Sequence, residues 1–164
     1  MNAVAQFAFG RPTSDESLAL PRVAARPATT LFARVALATI FIVAGVSKFA
    51  DMGGSIAYGQ SAGLPWPAFA VPLGAVVEVV GGVSILFGLL TRIGALALAL
   101  FLAVAGFYFH DFWNLAGAER QMQMIQFLKN LAIFGGMLLL IAYGAGRYSF
   151  DRFIRERMTR ERTT

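Results

Sequence analysis

The sequence predicts an all-α integral membrane protein, built as an antiparallel bundle of four spanning helices with both termini in the cytoplasm. Of the 164 residues, 57% are hydrophobic and only 14% are charged, whereas soluble domains carry about a quarter of charged residues. Four long apolar segments hold most of this surplus, and basic residues gather on one side of them. We expect a disordered tail over 1–30, the four-helix domain over 31–146 and a basic tail over 147–164.

Each spanning helix is predicted from an apolar run. The runs cover residues 31–49, 69–90, 93–109 and 124–143. A helix needs about 20 mainly apolar residues to cross the hydrocarbon core of a bilayer, and the third run reaches that length with its flanks. Buried helices of a soluble bundle are the alternative, but no run has a charged face for water.

The three connections differ in character. Thr91 and Arg92 alone separate the second and third runs, which predicts a tight antiparallel hairpin. Residues 50–68 are rich in Gly and Pro, which predicts an irregular connection, and Tyr58 and Trp66 suit the interfacial aromatic belt. Residues 110–123 form a polar connection that includes Trp113.

The distribution of Lys and Arg predicts the orientation. The N-terminal part through Arg34, the turn at Arg92 and the tail from Arg147 hold eleven of the fourteen basic residues. The remaining three are Lys48, Arg120 and Lys129. By the positive-inside rule, the side with eleven is cytoplasmic. The basic 147–164 tail forms either an amphipathic helix on the membrane surface or a solvated anchor.

Composition excludes several kinds of chemistry. The chain has no Cys, so disulfides, iron–sulfur clusters, zinc–thiolate sites and catalytic thiols are excluded within it. With His110 as its single histidine, it cannot hold a haem between two imidazoles of its own. We predict no metal site. The pI near 10.2 does not indicate nucleic acid, because the basic residues flank apolar runs and suit an anionic membrane surface.

Glu78 is the charge placed deepest in a predicted span. It lies nine residues from the outer end of its run, or about 13 Å at the rise of a helix. Gly74, Gly81 and Gly88 recur around it at seven-residue spacing, and small residues mark helix–helix contacts in membranes. We therefore expect Glu78 to face other helices, either as part of a site or as a protonated side chain with a hydrogen bond to a neighbouring helix.

Other helices bring polar groups to the same outer half of the predicted bundle, namely Lys48, His110 and Lys129. Each has a simpler interpretation taken alone, because lysines reach toward the interface and a histidine caps a helix end. Taken together with Glu78, they suggest a site for an anionic or quinone-like ligand, or a proton-transfer step through His110.

Six short motifs carry a resemblance to a known family: GVSKF at 45–49, VEVVGG at 77–82, FGLLTR at 87–92, FYFH at 107–110, FLKNLAIFGG at 127–136 and GAGRYSFDR at 144–152. In this order they resemble the DoxX family of four-helix bacterial membrane proteins. The pattern of that family matches the candidate site at Lys48, Glu78, His110, Lys129 and Asn130. It also matches the turn pair Thr91 and Arg92 and the ending Gly146, Arg147, Ser149 and Asp151.

The resemblance implies a multi-pass protein of the bacterial inner membrane that is a subunit of, or accessory to, a quinone-linked redox complex. Its cofactor is unknown, with quinone one option, and its partners are the lipid bilayer with either redox proteins or further copies of the chain. Two other function classes stay open, a small proton-coupled transporter and a non-catalytic anchor or assembly factor. Whether the chain is itself an enzyme is open as well.

Overall fold

The structure, a computed structural model, describes residues 27–161. Its six α-helices are α1 (Pro27–Ala50), α2 (Met52–Ser61), α3 (Pro67–Phe87), α4 (Thr91–Phe109), α5 (Gly117–Tyr143) and α6 (Phe150–Glu161), and a 3₁₀ turn covers Phe112–Asn114. The predicted disorder falls almost entirely on residues outside the described range. Helix α1 begins at Pro27, within the last four residues of the predicted tail.

The four predicted spans are confirmed as α1, α3, α4 and α5, each long and apolar enough to cross a membrane. Helices α3 and α4 form the predicted hairpin around a turn at residues 88–90. Gly88 and Leu90 both adopt left-handed backbone conformations there, with φ of 67° and 51°. The cytoplasmic placement of both termini stays a prediction.

The connection between the first two spans is helical in part, so the prediction of an irregular segment over 50–68 was wrong. Helix α2 begins after Asp51, whose carboxylate accepts a hydrogen bond of 2.9 Å from the Gly54 amide. Its glycines give it low helix propensity, but it packs on α3, where Gly59 is buried beside Val71. Tertiary packing stabilises this helix where propensity does not.

Glycines set how closely the spanning helices approach. At Gly45 of α1, an added Cβ would lie 2.7 Å from Val79 Cγ2 and 3.0 Å from the Ala75 carbonyl oxygen of α3. At Gly81 of α3, it would lie 2.7 Å from Leu98 of α4. Both contacts are shorter than a methyl group tolerates, so glycine at these positions permits the α1–α3 and α3–α4 interfaces.

Replacement of Gly45 by leucine is expected to lower the free energy of unfolding by about 1–3 kcal/mol, because the side chain must push α1 away from α3. The thermal midpoint of the purified protein in detergent measures this. Gly135→Leu is the matched control, since a Cβ at Gly135 meets nothing within 4 Å. Equal midpoints for the two variants would contradict the tight α1–α3 contact.

The apolar core fills the half of the bundle nearer the N-terminus of α1. Its buried members are Ala38, Phe41, Ile85, Ala95, Leu98, Ala99, Leu102, Met137 and Leu140. Large apolar side chains on the outer helix faces, such as Val43, Val80 and Leu100, stay exposed. This arrangement suits contact with lipid, where outward apolar side chains need no cover.

Arg34 joins three segments at the end of the bundle where the core lies. It is 1% exposed. Its guanidinium donates hydrogen bonds of 2.7–2.9 Å to four main-chain carbonyls: those of Ile85, Leu86, Ala145 and Tyr148. These carbonyls belong to the last turn of α3 and to the link between α5 and α6. The charge expected only to set topology is therefore a buried structural residue.

Asp151 of α6 fastens the same end from the other side. Its carboxylate accepts hydrogen bonds from the amides of Leu90 (2.7 Å) and Thr91 (3.1 Å), at the start of α4. Its own amide donates to the Gly88 carbonyl at 2.8 Å. Asp151 thus supplies from a distant part of the chain the cap that Leu90 cannot give α4.

The stability of this contact depends on pH. Burial by itself raises the pKa of the Asp151 carboxyl, but hydrogen bonds from Thr91 and Leu90 and the charge of Arg155 bring that pKa below its usual value. A carboxyl whose pKa is lower in the folded state stabilises the fold above its unfolded pKa. The contribution disappears as pH falls through the folded pKa.

Asp151→Asn is accordingly expected to cost about 1 kcal/mol at pH 7, the usual value of a helix cap, and less at pH 3, because the contribution of the carboxylate shrinks as the carboxyl becomes protonated. Thermal unfolding of both proteins at the two pH values measures the difference. Glu156→Gln, which removes an exposed i,i+4 pair with Arg152, serves as the control. A difference between Asp151→Asn and wild type that is the same at both pH values would contradict the assigned role.

Candidate functional site

A cavity of about 330 Å³ lies in the other half of the bundle, between the four spanning helices and α2. Its walls are mostly apolar, and six side chains bring polar atoms to it: Lys48, Ser55, Tyr58, Glu78, His110 and Asn130. Ligand sites commonly combine such apolar walls with a few convergent polar groups. The cavity is therefore the candidate functional site.

An ion pair between Lys48 of α1 and Glu78 of α3 forms its polar centre. The Lys48 ammonium donates to both carboxylate oxygens of Glu78, at 2.9 Å and 2.8 Å. The Glu78 side chain is 4% exposed and that of Lys48 is 32% exposed. Lys48 also lies over the ring of Phe101, with Nζ 5.8 Å from the centroid. Both oxygens of a buried carboxylate thus have a cationic partner.

The local sequence explains why these two side chains meet. Gly45 lies one helical turn before Lys48 and contacts α3 beside Ala75 and Glu78. The close approach at Gly45 therefore places the next turn of α1 against Glu78. On α3, buried positions Val71, Ala75, Glu78 and Gly82 recur every three to four residues along one face. The expectation that Glu78 faces other helices is confirmed.

His110 and Asn130 reach the same cavity from α4 and α5. His110 follows the last residue of α4, and its Nδ1 lies 2.9 Å from Oε1 of Gln123 on α5. That contact orients the imidazole across the α4–α5 interface. Asn130 is half-buried and lines the cavity with Ile133, one turn farther along α5. The structure thus brings four of the five predicted site residues to one cavity.

Lys129 is the site residue that the structure places elsewhere. It is exposed, its ammonium donates to Gln126 Oε1 at 3.0 Å, and it lines a separate surface groove on α5. Successive residues of an α-helix point about 100° apart, so Asn130 and Lys129 cannot both face the cavity. The expectation that Lys129 converges with Lys48 and Glu78 was therefore wrong, and Lys48 is the one lysine that lines the cavity.

The predicted turn pair lies at the opposite end of the bundle. Thr91 is fully buried and its amide donates to Asp151, as described above. Arg92 is exposed and donates to the Ala142 carbonyl at 3.2 Å. These residues join α4 to the ends of α5 and α6, and neither touches the cavity.

Helix α2 contributes cavity residues that the sequence did not indicate. Tyr58 stacks on Phe109 of α4, with ring centroids 5.2 Å apart, and Ser55 lines the wall one turn earlier. Sequence reasoning assigned Tyr58 to the interfacial belt. The spacing of Ser55, Tyr58 and Gly59 would place them on one face of a helix. This signal was not used, because the segment was predicted to be irregular.

The arrangement can bind a small ring-bearing or chain-like molecule through one polar end. The aromatic side chains of Phe41, Phe101 and Phe109 provide apolar contact area. The ammonium of Lys48 and the amide of Asn130 provide hydrogen-bond donors to an oxygen-bearing ligand. Glu78 and His110 add a carboxyl group and an imidazole, two kinds of group that serve as general acids and bases.

Comparison with known proteins identifies relatives that match most of the chain. A family model described as DoxX matches residues 29–111. The inner membrane protein YphA of Escherichia coli is 34% identical over 93% of this chain and 99% of its own. The inner membrane protein YqjF of the same organism is 39% identical over 77% of this chain and 92% of its own.

A third relative carries an activity in its name. The "Putative oxidoreductase CatD" of Bacillus subtilis is 45% identical over 43% of this chain and 52% of its own length. No solved structure matches the chain.

Proposed function

Because this chain belongs to the DoxX family and is an inner membrane protein, we propose that it is the membrane component of a redox system and binds a quinone-like ligand in its cavity. The observation that carries the proposal is the Lys48–Glu78 pair in a cavity with aromatic walls. A quinone presents a flat ring and carbonyl oxygens, which match aromatic walls and an ammonium donor.

The size of the cavity supports a small ligand or the head of a larger one. Its 330 Å³ lies at the lower end of the range for ligand pockets, about 300–1,000 Å³. Exposed cavity residues such as Ile40 and Val104 place an edge of the cavity at the lipid-facing surface. A ligand with an apolar tail can then extend into the bilayer while its head lies beside Lys48.

A redox role in this chain requires a ligand or a partner to carry the electrons. The sequence has no cysteine, so the thiol and iron–sulfur chemistry of many redox proteins is not available to it. A bound quinone supplies that function. The name of the relative CatD, a putative oxidoreductase, supports the same class of activity for this chain.

The test is binding of a short-chain quinone to the purified protein in lipid nanodiscs, followed by intrinsic fluorescence quenching. Ala105→Phe, which fills the cavity without removing a polar group, is expected to abolish binding, and Glu78→Gln to weaken it about tenfold. Ala132→Phe on the exposed face of α5 is the matched control, with Lys129→Gln as the control for charge. Wild-type protein that binds no quinone would overturn the proposal.

A proton-coupled transporter is the second candidate, favoured by an ionisable Glu78 that lines a cavity. Carboxylates within membrane spans are common in proton relays. Substrate-dependent proton flux into liposomes, abolished by Glu78→Gln and retained by Lys129→Gln, would support it in place of the redox role. Loss of protein abundance in Glu78→Gln, with no change in binding or flux, would instead support an anchor or assembly factor.

A further inference from the structure

We propose that a groove at the end of the bundle opposite the cavity binds the headgroup of an anionic phospholipid. The groove, called here the arginine groove, lies between the start of α4, the end of α5 and helix α6, and has a volume of about 1040 Å³. Its charged side chains are Arg92, Asp151, Arg152, Arg155 and Glu156. The proposal does not depend on what the cavity binds.

The charges of the arginine groove favour an anion. Three guanidinium groups line it against two carboxylates. The Asp151 carboxylate is already occupied by the amides of Leu90 and Thr91, and Glu156 pairs with Arg152 at 2.6 Å. Three guanidinium groups against two carboxylates leave the groove one net positive charge, and guanidinium groups bind phosphate through paired donors.

Apolar side chains beside these charges favour a lipid over a soluble anion. Leu90, Ile93, Tyr143, Ile154 and Met158 also line the groove, and each is at least 43% exposed. Ile93 and Tyr143 belong to the spanning helices α4 and α5, so their exposed side chains are placed to contact acyl chains. One molecule that satisfies both parts of the groove has an anionic head and an apolar tail.

The fold holds the groove at the level of lipid headgroups. Helices α3, α4 and α5 end or begin within a few residues of it, at Phe87, Thr91 and Tyr143. The backbone of Asp151 is hydrogen-bonded to Gly88 at 2.8 Å, so α6 starts directly beside these helix ends. Basic pockets between spanning helices at this level, like amphipathic helices, bind anionic headgroups.

Helix α6 itself has the composition of an interfacial helix. Phe153, Ile154 and Met158 provide apolar surface, and Arg157 lies over the Phe153 ring at 4.8 Å. The positive-inside prediction assigns this end to the cytoplasm, where the leaflet surface is negative. The phospholipid in the arginine groove would then bridge α6 to the spanning helices.

The experiment counts phosphatidylglycerol molecules bound to the delipidated full-length protein by native mass spectrometry in mild detergent. We expect one tightly bound lipid. Each arginine near an anionic surface contributes about fivefold in affinity, so the triple variant Arg92→Gln, Arg152→Gln, Arg155→Gln should bind about 100-fold more weakly. Arg120→Gln with Lys129→Gln is the control and should bind as wild type, because both residues lie in the first half of the Gly117–Tyr143 helix and neither lines the arginine groove.

Further arms separate the possible results. Zwitterionic phosphatidylcholine and soluble glycerol phosphate should each bind wild type no more tightly than phosphatidylglycerol binds the triple variant. Phosphatidylcholine lacks net charge, and glycerol phosphate lacks an apolar tail. If the triple variant does not fold, single Arg92→Gln and Arg155→Gln variants should each weaken binding about fivefold. Unchanged phosphatidylglycerol affinity in these variants, or equal affinity for phosphatidylcholine, would overturn the proposal.

Discussion

Replacement of Arg34 by methionine is expected to destabilise the protein by at least about 3 kcal/mol. The substitution leaves four carbonyl groups without this donor, two of them in buried and two in part-buried hydrogen bonds, and each unsatisfied buried group costs about 1–3 kcal/mol. Water does not enter this end of the bundle easily, since the Arg34 side chain lies among main-chain atoms and is 1% exposed. The thermal midpoint of the purified protein in detergent, and the yield of monodisperse protein, measure the effect.

Arg34→Lys and Arg92→Met provide the controls for this prediction. A lysine keeps the charge but cannot reach carbonyls on both sides of it as the planar guanidinium does, so Arg34→Lys should still be clearly destabilised. Arg92 is exposed and makes one hydrogen bond of 3.2 Å, so Arg92→Met should change the midpoint little. If charge alone matters, Arg34→Lys will behave as wild type and the bonding role is refuted.

The spans could be predicted because their signal is local. A run of about 20 apolar residues must cross the membrane as a helix, since main-chain groups in lipid require internal hydrogen bonds. The predicted and observed spans therefore overlap throughout. Only their ends differ. Helix α5 begins at Gly117, seven residues before the apolar run, and the run did not include these residues because the first two turns of the helix are polar.

The roles of the basic residues could not be separated in the same way. A count of Lys and Arg treats Arg34 and Arg92 alike, although one is buried and the other exposed. The difference depends on which face of a helix meets its neighbours. For Arg34 a signal existed, because it continues the buried row Ala38, Phe41 and Gly45 at helical spacing.

The candidate site, like the roles of the basic residues, could be predicted only in part. Glu78 was identifiable from its depth and from the glycines around it, and Lys48 followed one turn after Gly45. The sequence could not exclude Lys129 from the site, because Lys129 lies at nearly the same depth in the span as its neighbour Asn130. The two side chains differ in the direction in which they point from the helix axis. Rotation is set by the whole interface of α5 with α4, which no short motif encodes.

Helix α1 links the two polar centres of the molecule. Arg34 and Lys48 lie on the same face, about 21 Å apart along the axis at the rise of a helix, and the apolar core separates them. At one centre, the four hydrogen bonds of the Arg34 guanidinium all go to main-chain oxygens, and its side chain lines neither the cavity nor the arginine groove. The other has a cavity beside it. This contrast favours a structural role for the Arg34 side chain and a binding role for the Lys48 side chain.

The ion pair should show strong coupling in a double-mutant cycle, and its two single substitutions should have unequal effects on stability. Lys48→Met leaves the Glu78 carboxylate, 4% exposed, buried without a cation, and removal of one partner of such a pair costs about 3–5 kcal/mol. Glu78→Leu leaves Lys48, which is 32% exposed and can turn its ammonium toward water or headgroups. Glu78→Leu should therefore cost less than Lys48→Met.

The double variant Lys48→Met, Glu78→Leu tests the pair itself. It buries no unpaired charge, and apolar replacement of a buried pair is often close to neutral. We expect it to be more stable than Lys48→Met alone, with a coupling energy of about 2 kcal/mol or more between the two sites. Additive effects in thermal and denaturant unfolding would contradict the pairing. A stable double variant that no longer binds quinone would show that the charges serve binding, because the fold would then persist without them.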